Sequence, residues 1–436
     1  MTDLRKPPDD AATGTAGATS VGTSAGTAGP APGDGARGGR RSGGSGLLAE
    51  ILTGSAMLTL LSIVAALGVG ALLIIFSDPD VQTALGYVGA RPSDTFRFAW
   101  EAVSSAYAAL FSGSVVDFGE FTVGRALRPL AATITNATPL IAAGLAVALP
   151  FRAGLFNIGA EGQILVGATL AAYVGFAFDL PVGVHLLAGI AAGMLGGAVW
   201  AGIAGVLKAT TGAHEVITTI MLNYIARYLV TFLLTLTAFQ RPGRSDPISP
   251  IVGENAQLPV LVEGTRMHAG IVLSLVAAAF VWWLLERSTI GFRYRMVGLN
   301  PHAARTAGTS VARTYATVML LAGALAGIAG CAQVLGTERY LTTGSSGGLG
   351  FDAITVALLG RSSPKGVVAA GLLFGALKAG SVSMQTRTGT PIDLVLVLQS
   401  LIVLFIAAPP LVRAIFRVPI HARPELSGGA STAGVS

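Results

Sequence analysis

Apolar residues gather in long blocks divided by short polar breaks, at 56–76, 130–149, 163–178, 183–206, 215–238, 269–285, 315–336, 352–360, 366–383 and 393–412. All but 352–360 approach the roughly 20 mostly apolar residues that a membrane-crossing helix needs. The short block predicts a half-helix buried among the others, because non-helical backbone at membrane depth must be enclosed by protein. The expected fold class is therefore all-α: a polytopic transmembrane bundle of about ten spans with broken or half helices. Domain boundaries follow from the same pattern. Residues 1–46 are Gly, Ala, Thr, Ser and Pro with scattered charges, too poor in bulky apolar groups to fold, and 420–436 repeats that composition. A membrane domain over 47–419 lies between two disordered tails. The first apolar run begins too late for a cleavable signal peptide, so it is expected to stay as an anchor.

One polar stretch interrupts this plan. Residues 298–314, GLNPHAARTAGTSVART, form a basic, Ala-rich insert between two apolar spans. Asn300 can cap a helix N-terminus and Pro301 fits its first turn, where no amide donor is needed. Gly308 suits a left-handed stop. About two turns of helix outside the bilayer are predicted, carrying Ala303, Ala304 and Arg305. A short helix with small side chains can sit in another protein's groove, which points to a membrane protein driven by a soluble partner.

Composition sharpens the class. The chain has 436 residues, 52% hydrophobic and 11% charged, with a mean hydropathy of +0.68. Soluble domains carry about 25% charged residues, so most of this chain does not face water. The 58 glycines suit helices that approach closely where lipid supplies no hydrophobic drive. With the N-terminal tail inside and ten segments each changing side, 17 Lys and Arg fall on the tail's face and 9 on the other. That bias places both termini and the 298–314 insert in the cytoplasm. The net charge of +6 then reflects topology and membrane lipid rather than nucleic-acid binding.

The single cysteine, Cys331, lies in an apolar span, which leaves no intrachain disulfide or cysteine metal cluster. The five His show no metal spacing, and neither a phosphate loop nor a hydrolase elbow is present. No clustered nucleophile or acid–base pair marks an enzyme. Energy must come from an ion gradient or from another subunit.

Three polar clusters stand out at membrane depth. In PFRAGLFNIGAEGQILVG (150–167), glycines break the helix and set Asn157, Glu161 and Gln163 near the boundary. Such groups mark a pathway or tie helices together, and Glu161 also suits the dipole of the following helix. In GAHEVITTIMLNYIA (212–226), Glu215, Thr219 and Asn223 recur at i, i+4, i+8 and share one helix face, as a polar lining or as interhelical glue. In TGSSGGLGFDAITVALLGRSSPKG a Gly/Ser break precedes the short helix, whose early Asp352 reads as its N-cap or as a path residue. Five spans separate the two breaks, and an odd number inverts them, as inverted repeats of a transporter do. Gln333 could face the same path.

These phrases, together with GLNPHAARTAGTSVAR and LAGALAGIAG, resemble the permease subunits of ABC importers of the ribose and branched-chain amino-acid type. The closest branch is the simple-sugar/nucleoside one served by basic-membrane-protein lipoproteins. The resemblance runs from about Leu47 to Pro419. It implies that the helix carrying Ala303, Ala304 and Gly308 docks on an ATP-binding subunit. It also implies a second permease chain, two ATPase subunits that hold the ATP-Mg, and an extracytoplasmic solute-binding lipoprotein. The chain itself is expected to bind no cofactor, to be no enzyme, and to sit in the bacterial cell membrane. The expected substrate path runs by Asn157, Glu161, Gln163, Glu215, Thr219, Asn223 and Asp352. A gradient-driven secondary carrier of a small polar solute is the alternative, with Glu161, Glu215 or Asp352 as ion sites; it has no need of a capped helix in the cytoplasm.

Overall fold

The computed structural model describes residues 55–119 and 122–417. The expectations for the 1–46 and 420–436 tails lie outside the described residues. Within them helices carry the fold, and the only β contacts are two isolated antiparallel bridges, Ile248–Thr342 and Val260–His268. In chain order the helices longer than four residues are α1 (Ser55–Ser77), α2 (Pro79–Leu85), α3 (Pro92–Ser114), α4 (Arg128–Arg152), α5 (Ala160–Ala177), α6 (Val184–Thr211), α7 (Glu215–Leu233) and α8 (Gly270–Arg287). They continue as α9 (Thr289–Leu299), α10 (Pro301–Thr306), α11 (Val311–Cys331), α12 (Leu349–Leu359), α13 (Pro364–Thr388), α14 (Ile392–Ala407) and α15 (Pro409–Phe416). A π-helical turn, Ala332–Thr337, extends α11.

Every apolar block forms a helix among the described residues. Among the described residues eight helices are long and apolar enough to span, or nine if the bent pair α14–α15 counts as one. Leu349–Leu359 is the expected short helix. Three of these helices, α2, α3 and α9, had no counterpart in the apolar pattern. Asp94, Arg97 and Glu101 dilute α3 below the span threshold, although its Tyr107 hydroxyl reaches Leu67 O of α1 at 2.5 Å. Ser288 starts α9 inside what reads as a loop, its hydroxyl accepting from Gly291 N.

The bundle has two ends. At the insert end, Arg152 Nε donates to Ser362 O (2.9 Å) and Gly298 packs against the Arg152 backbone. At the loop end, Gly253 N donates to Gly175 O and Leu258 N to Leu335 O, each at 2.8 Å, and Arg387 pairs with Asp117. That pairing holds the Asp117 carboxyl below its usual range. So α4 runs from the loop end to the insert end, and α11 runs the other way. A backbone break follows each of them, before α5 and before α12. Each helix packs on the elements that follow the other's break: α4 against α12 and α13, α11 against α5 and α6. This exchange builds the core, centred on α4, whose residues 137–150 are all buried. Gly193 and Gly197 of α6 lie on Gly327 and Gly323 of α11 with no space for a Cβ. Direct backbone contact of this kind is how helices associate without a hydrophobic drive.

Candidate functional site

The two breaks meet at one carboxylate. Glu161, in the first turn of α5, accepts from Gly348 N (3.2 Å) and Gly350 N (2.7 Å) at the start of α12. Helix N-termini leave amide donors unsatisfied and carry partial positive charge, so one anion serves both half-helices. Gly350 must be glycine there, because a Cβ would lie 2.1 Å from Glu161 N. The first break is otherwise held by carboxamides. Asn157 and Gln163 exchange hydrogen bonds at 3.0 and 2.8 Å, and Asn157 also donates to Ala146 O. Asn223 of α7 accepts from Gly162 N and donates to Ile158 O, both at 2.9 Å. Thr219 bonds to Glu215 O of its own helix, and Glu215 pairs with Lys208 at 2.8 Å.

This geometry changes several expectations. Asn157, Gln163 and Thr219 are buried and make hydrogen bonds within the chain. Glu215, Thr219 and Asn223 do share one buried face, and that face clamps the first break. Asp352 is not the N-cap of α12. Gly348 occupies that position, Glu161 supplies the acceptor, and the Asp352 carboxylate pairs with Lys378 of α13 at 2.5 Å.

An open polar space lies elsewhere, at the loop end beside the second break. A cleft of about 450 Å³ is lined by Arg128, Thr135, Asn136, Thr265, Arg266 and Thr337. A deeper recess of about 130 Å³ shares Thr135, Asn136 and Thr337 and reaches Gln333, Ser346 and Lys378. The buried His268 fixes its rim. Burial first, and the Arg339 cation second, push the imidazole down to about 4, so it is neutral. Its Nδ1 accepts from Gly270 N, which leaves Nε2–H to donate to Thr337 Oγ1 at 3.1 Å. The apolar pattern hid this grouping because Thr135 and Asn136 lie inside one apolar block whereas Arg128, Thr265, Arg266 and Thr337 lie in the polar segments between blocks. Lys378 and Asn136 were visible only as polar exceptions within such blocks.

At the insert end, α10 forms as a six-residue helix. Asn300 Oδ1 accepts from His302 N (2.9 Å) and Ala303 N (3.1 Å), Pro301 occupies the first turn, and Gly308 stops the chain at φ +80°. Its outer face presents His302, Ala303, Arg305 and Thr306. Ala304 faces the opposite way. It is buried between Val297 and Val311 and anchors the helix instead of presenting itself to a partner. Beside the exposed face, Leu299 is 88% exposed.

The sequence pattern of the family described as branched-chain amino acid transport system, permease component, matches residues 130–407. The guanosine ABC transporter permease NupP of Bacillus subtilis is 41% identical over 314 residues, 71% of this chain and 87% of that protein. A glucose ABC transporter permease of Haloferax volcanii is 36% identical over 289 residues, 64% of this chain and 75% of its own. The nucleoside ABC transporter permease NupB of Lactococcus lactis is 34% identical over 290 residues, 64% and 79% of the two chains. No solved structure matches the chain.

Proposed function

This chain belongs to the permease family of the branched-chain amino acid transport system, and from that premise we propose that it carries nucleosides inward. It is the membrane-spanning permease subunit of an ABC importer. Partners of two general kinds follow from the family: ATP-binding subunits and a substrate-binding protein. Nucleosides are favoured over sugars because two of the relatives above are named for guanosine or nucleoside transport. The capped helix α10 carries the mechanistic reading. Its outer face stands exposed at one end of the bundle with Leu299 beside it, a rigid projection that a soluble ATPase can grip. The insert end carries Arg152, Lys208, Arg287, Arg293, Arg295, Arg305, Arg361 and Lys365, and positive charge of this kind marks the cytoplasmic face. Both termini then lie in the cytoplasm, a second permease chain completes the path, and a lipoprotein delivers solute at the loop end.

In this mechanism ATP-driven closure of the ATPase pair pulls on α10. The movement passes through α9 and Gly298 to the Arg152 end of α4, and so to the junction at Glu161. Asn157, Gln163, Asn223, Glu215, Thr219 and Asp352 act by holding the two half-helices in register, not by touching solute. A partner shifts such an equilibrium only by binding one state better than the other. Ala303→Glu combined with Leu299→Glu tests the docking face, since both positions are exposed. Nucleoside uptake by the complex in proteoliposomes is expected to fall at least tenfold and the ATP-binding subunit to dissociate on purification, with the chain still inserted. Full uptake by this variant would remove α10 from the docking role. Uptake by the chain alone, driven by an ion gradient, would favour the carrier.

A further inference from the structure

We propose that the cleft at the loop end is the solute-holding site within each permease chain, and that the Asn136 carboxamide reads the hydrogen-bonding edge of a nucleobase. The proposal rests on the importer reading above and adds to it the site and the chemistry of recognition. Four observations support it.

The first is Asn136 itself. It sits in the central helix α4, yet its side chain has no hydrogen-bond partner among the described residues, whereas Asn157, Gln163 and Asn223 have theirs. A carboxamide offers two donors and an acceptor oxygen, and none of them is spent on a group of the described residues here. Asn136 borders both the cleft and its deeper recess, at the point where the two join.

The second is the charge balance. Lys378 is paired with Asp352, and Gln333 Nε2 donates to Glu338, whose other oxygen accepts from Ser345. The fixed charges in the recess are thus committed to each other, and amides and hydroxyls are what remains there, while Arg128 and Arg266 line the outer cleft. The recess therefore suits a neutral group rich in hydrogen-bonding atoms, such as a base edge. Carboxamides pair in a bidentate manner with a purine edge, and the Ser346 hydroxyl, which also lacks a partner, suits a sugar hydroxyl.

The third is size. About 450 Å³ falls within the range of small-molecule sites and admits a nucleoside. The fourth is position. The wall of the recess is the π-helical turn Ala332–Thr337, a kind of irregularity that recurs at functional sites, and its floor is Leu349, where α12 begins. A solute here would touch the break that Glu161 holds, and so bias the element the ATPase moves.

The test uses the complete complex with its binding protein, in proteoliposomes. The single cysteine is first removed by Cys331→Ala, then Asn136→Cys, Gln333→Cys and, as a buried comparison, Asn157→Cys are introduced separately. A small hydrophilic thiol reagent is expected to label the first two and not the third. Guanosine presented with its binding protein should slow labelling of Asn136→Cys at least threefold. Independently, Asn136→Ala should lower guanosine uptake roughly tenfold, the consequence of losing about 1.4 kcal/mol of recognition, with the ATP-binding subunits still co-purifying. Absence of labelling at both positions from either face would mean that lipid or the partner chain fills the cleft, and overturns the proposal. Wild-type uptake by Asn136→Ala overturns it as well, and leaves the importer standing. A wild-type complex that hydrolyses ATP and moves no nucleoside would instead remove the substrate reading.

Discussion

The two breaks differ in what surrounds them. The first, residues 153–159, is enclosed: Asn157, Gln163 and Asn223 bond to one another and to freed backbone groups. The second, residues 338–348, opens beside a polar cleft and recess in which the Asn136 and Ser346 side chains have no partner among the described residues. The sequence pattern gives both the same form: glycines, a polar cluster, then a helix. A repeated architecture can therefore divide its labour. One copy serves as a fixed joint, the other borders the space where a solute can sit, and Glu161 links the two.

The largest effect that would disturb this contrast comes from the link. Glu161→Ala leaves two part-buried amide donors at the start of α12 without their acceptor, and is expected to cost about 1–3 kcal/mol of stability with loss of uptake. Thermal unfolding of the detergent-purified chain measures the first and proteoliposome uptake the second. Unchanged stability would show that the two breaks are independent.

An intermediate effect tests whether the first break is enclosed. Asn157→Leu strands the Gln163 carboxamide and should cost about 1–3 kcal/mol, because an orphaned buried polar group loses its full solvation. Adding Gln163→Leu should recover part of that loss, since removing both partners is cheaper than removing one. A double variant worse than the single by the full second increment would argue that solvent or solute reaches this amide pair.

The smallest effect belongs to the cleft. Asn136→Leu removes no hydrogen bond of the folded chain, so its stability should change by less than about 0.5 kcal/mol, the usual range for sites without a structural contact. The same melting measurement reads all three variants. A loss as large as that of Asn157→Leu would mean that Asn136 has a structural partner and that both breaks serve the same purpose.

Periodicity and length were enough to specify an all-helical bundle, the two breaks, the short helix before Arg361 and the capped insert, because each follows from local chemistry. Apolar blocks must leave water, Asn300 offers a capping oxygen and Pro301 a preset first-turn φ, and Gly308 accepts a positive φ that other residues resist. What the polar residues do could not be read the same way. The alternatives of pathway or tie for Asn157, Gln163 and Asn223 depend on which backbone donors lie within 3 Å, and those come from segments about 60 residues away, as with Asn223 and Gly162. Asp352 suited an N-cap by position, until Lys378 of another helix claimed it and Glu161 took over that task from nearly 190 residues away. Ala304 looked like a docking residue by composition, but the packing of α9 against α11 turned it inward. The chain thus fixes which groups are present and which helices carry them. Only packing decides which of those groups are satisfied, since a hydrogen bond is a fact about two segments and the pattern along the chain describes one at a time.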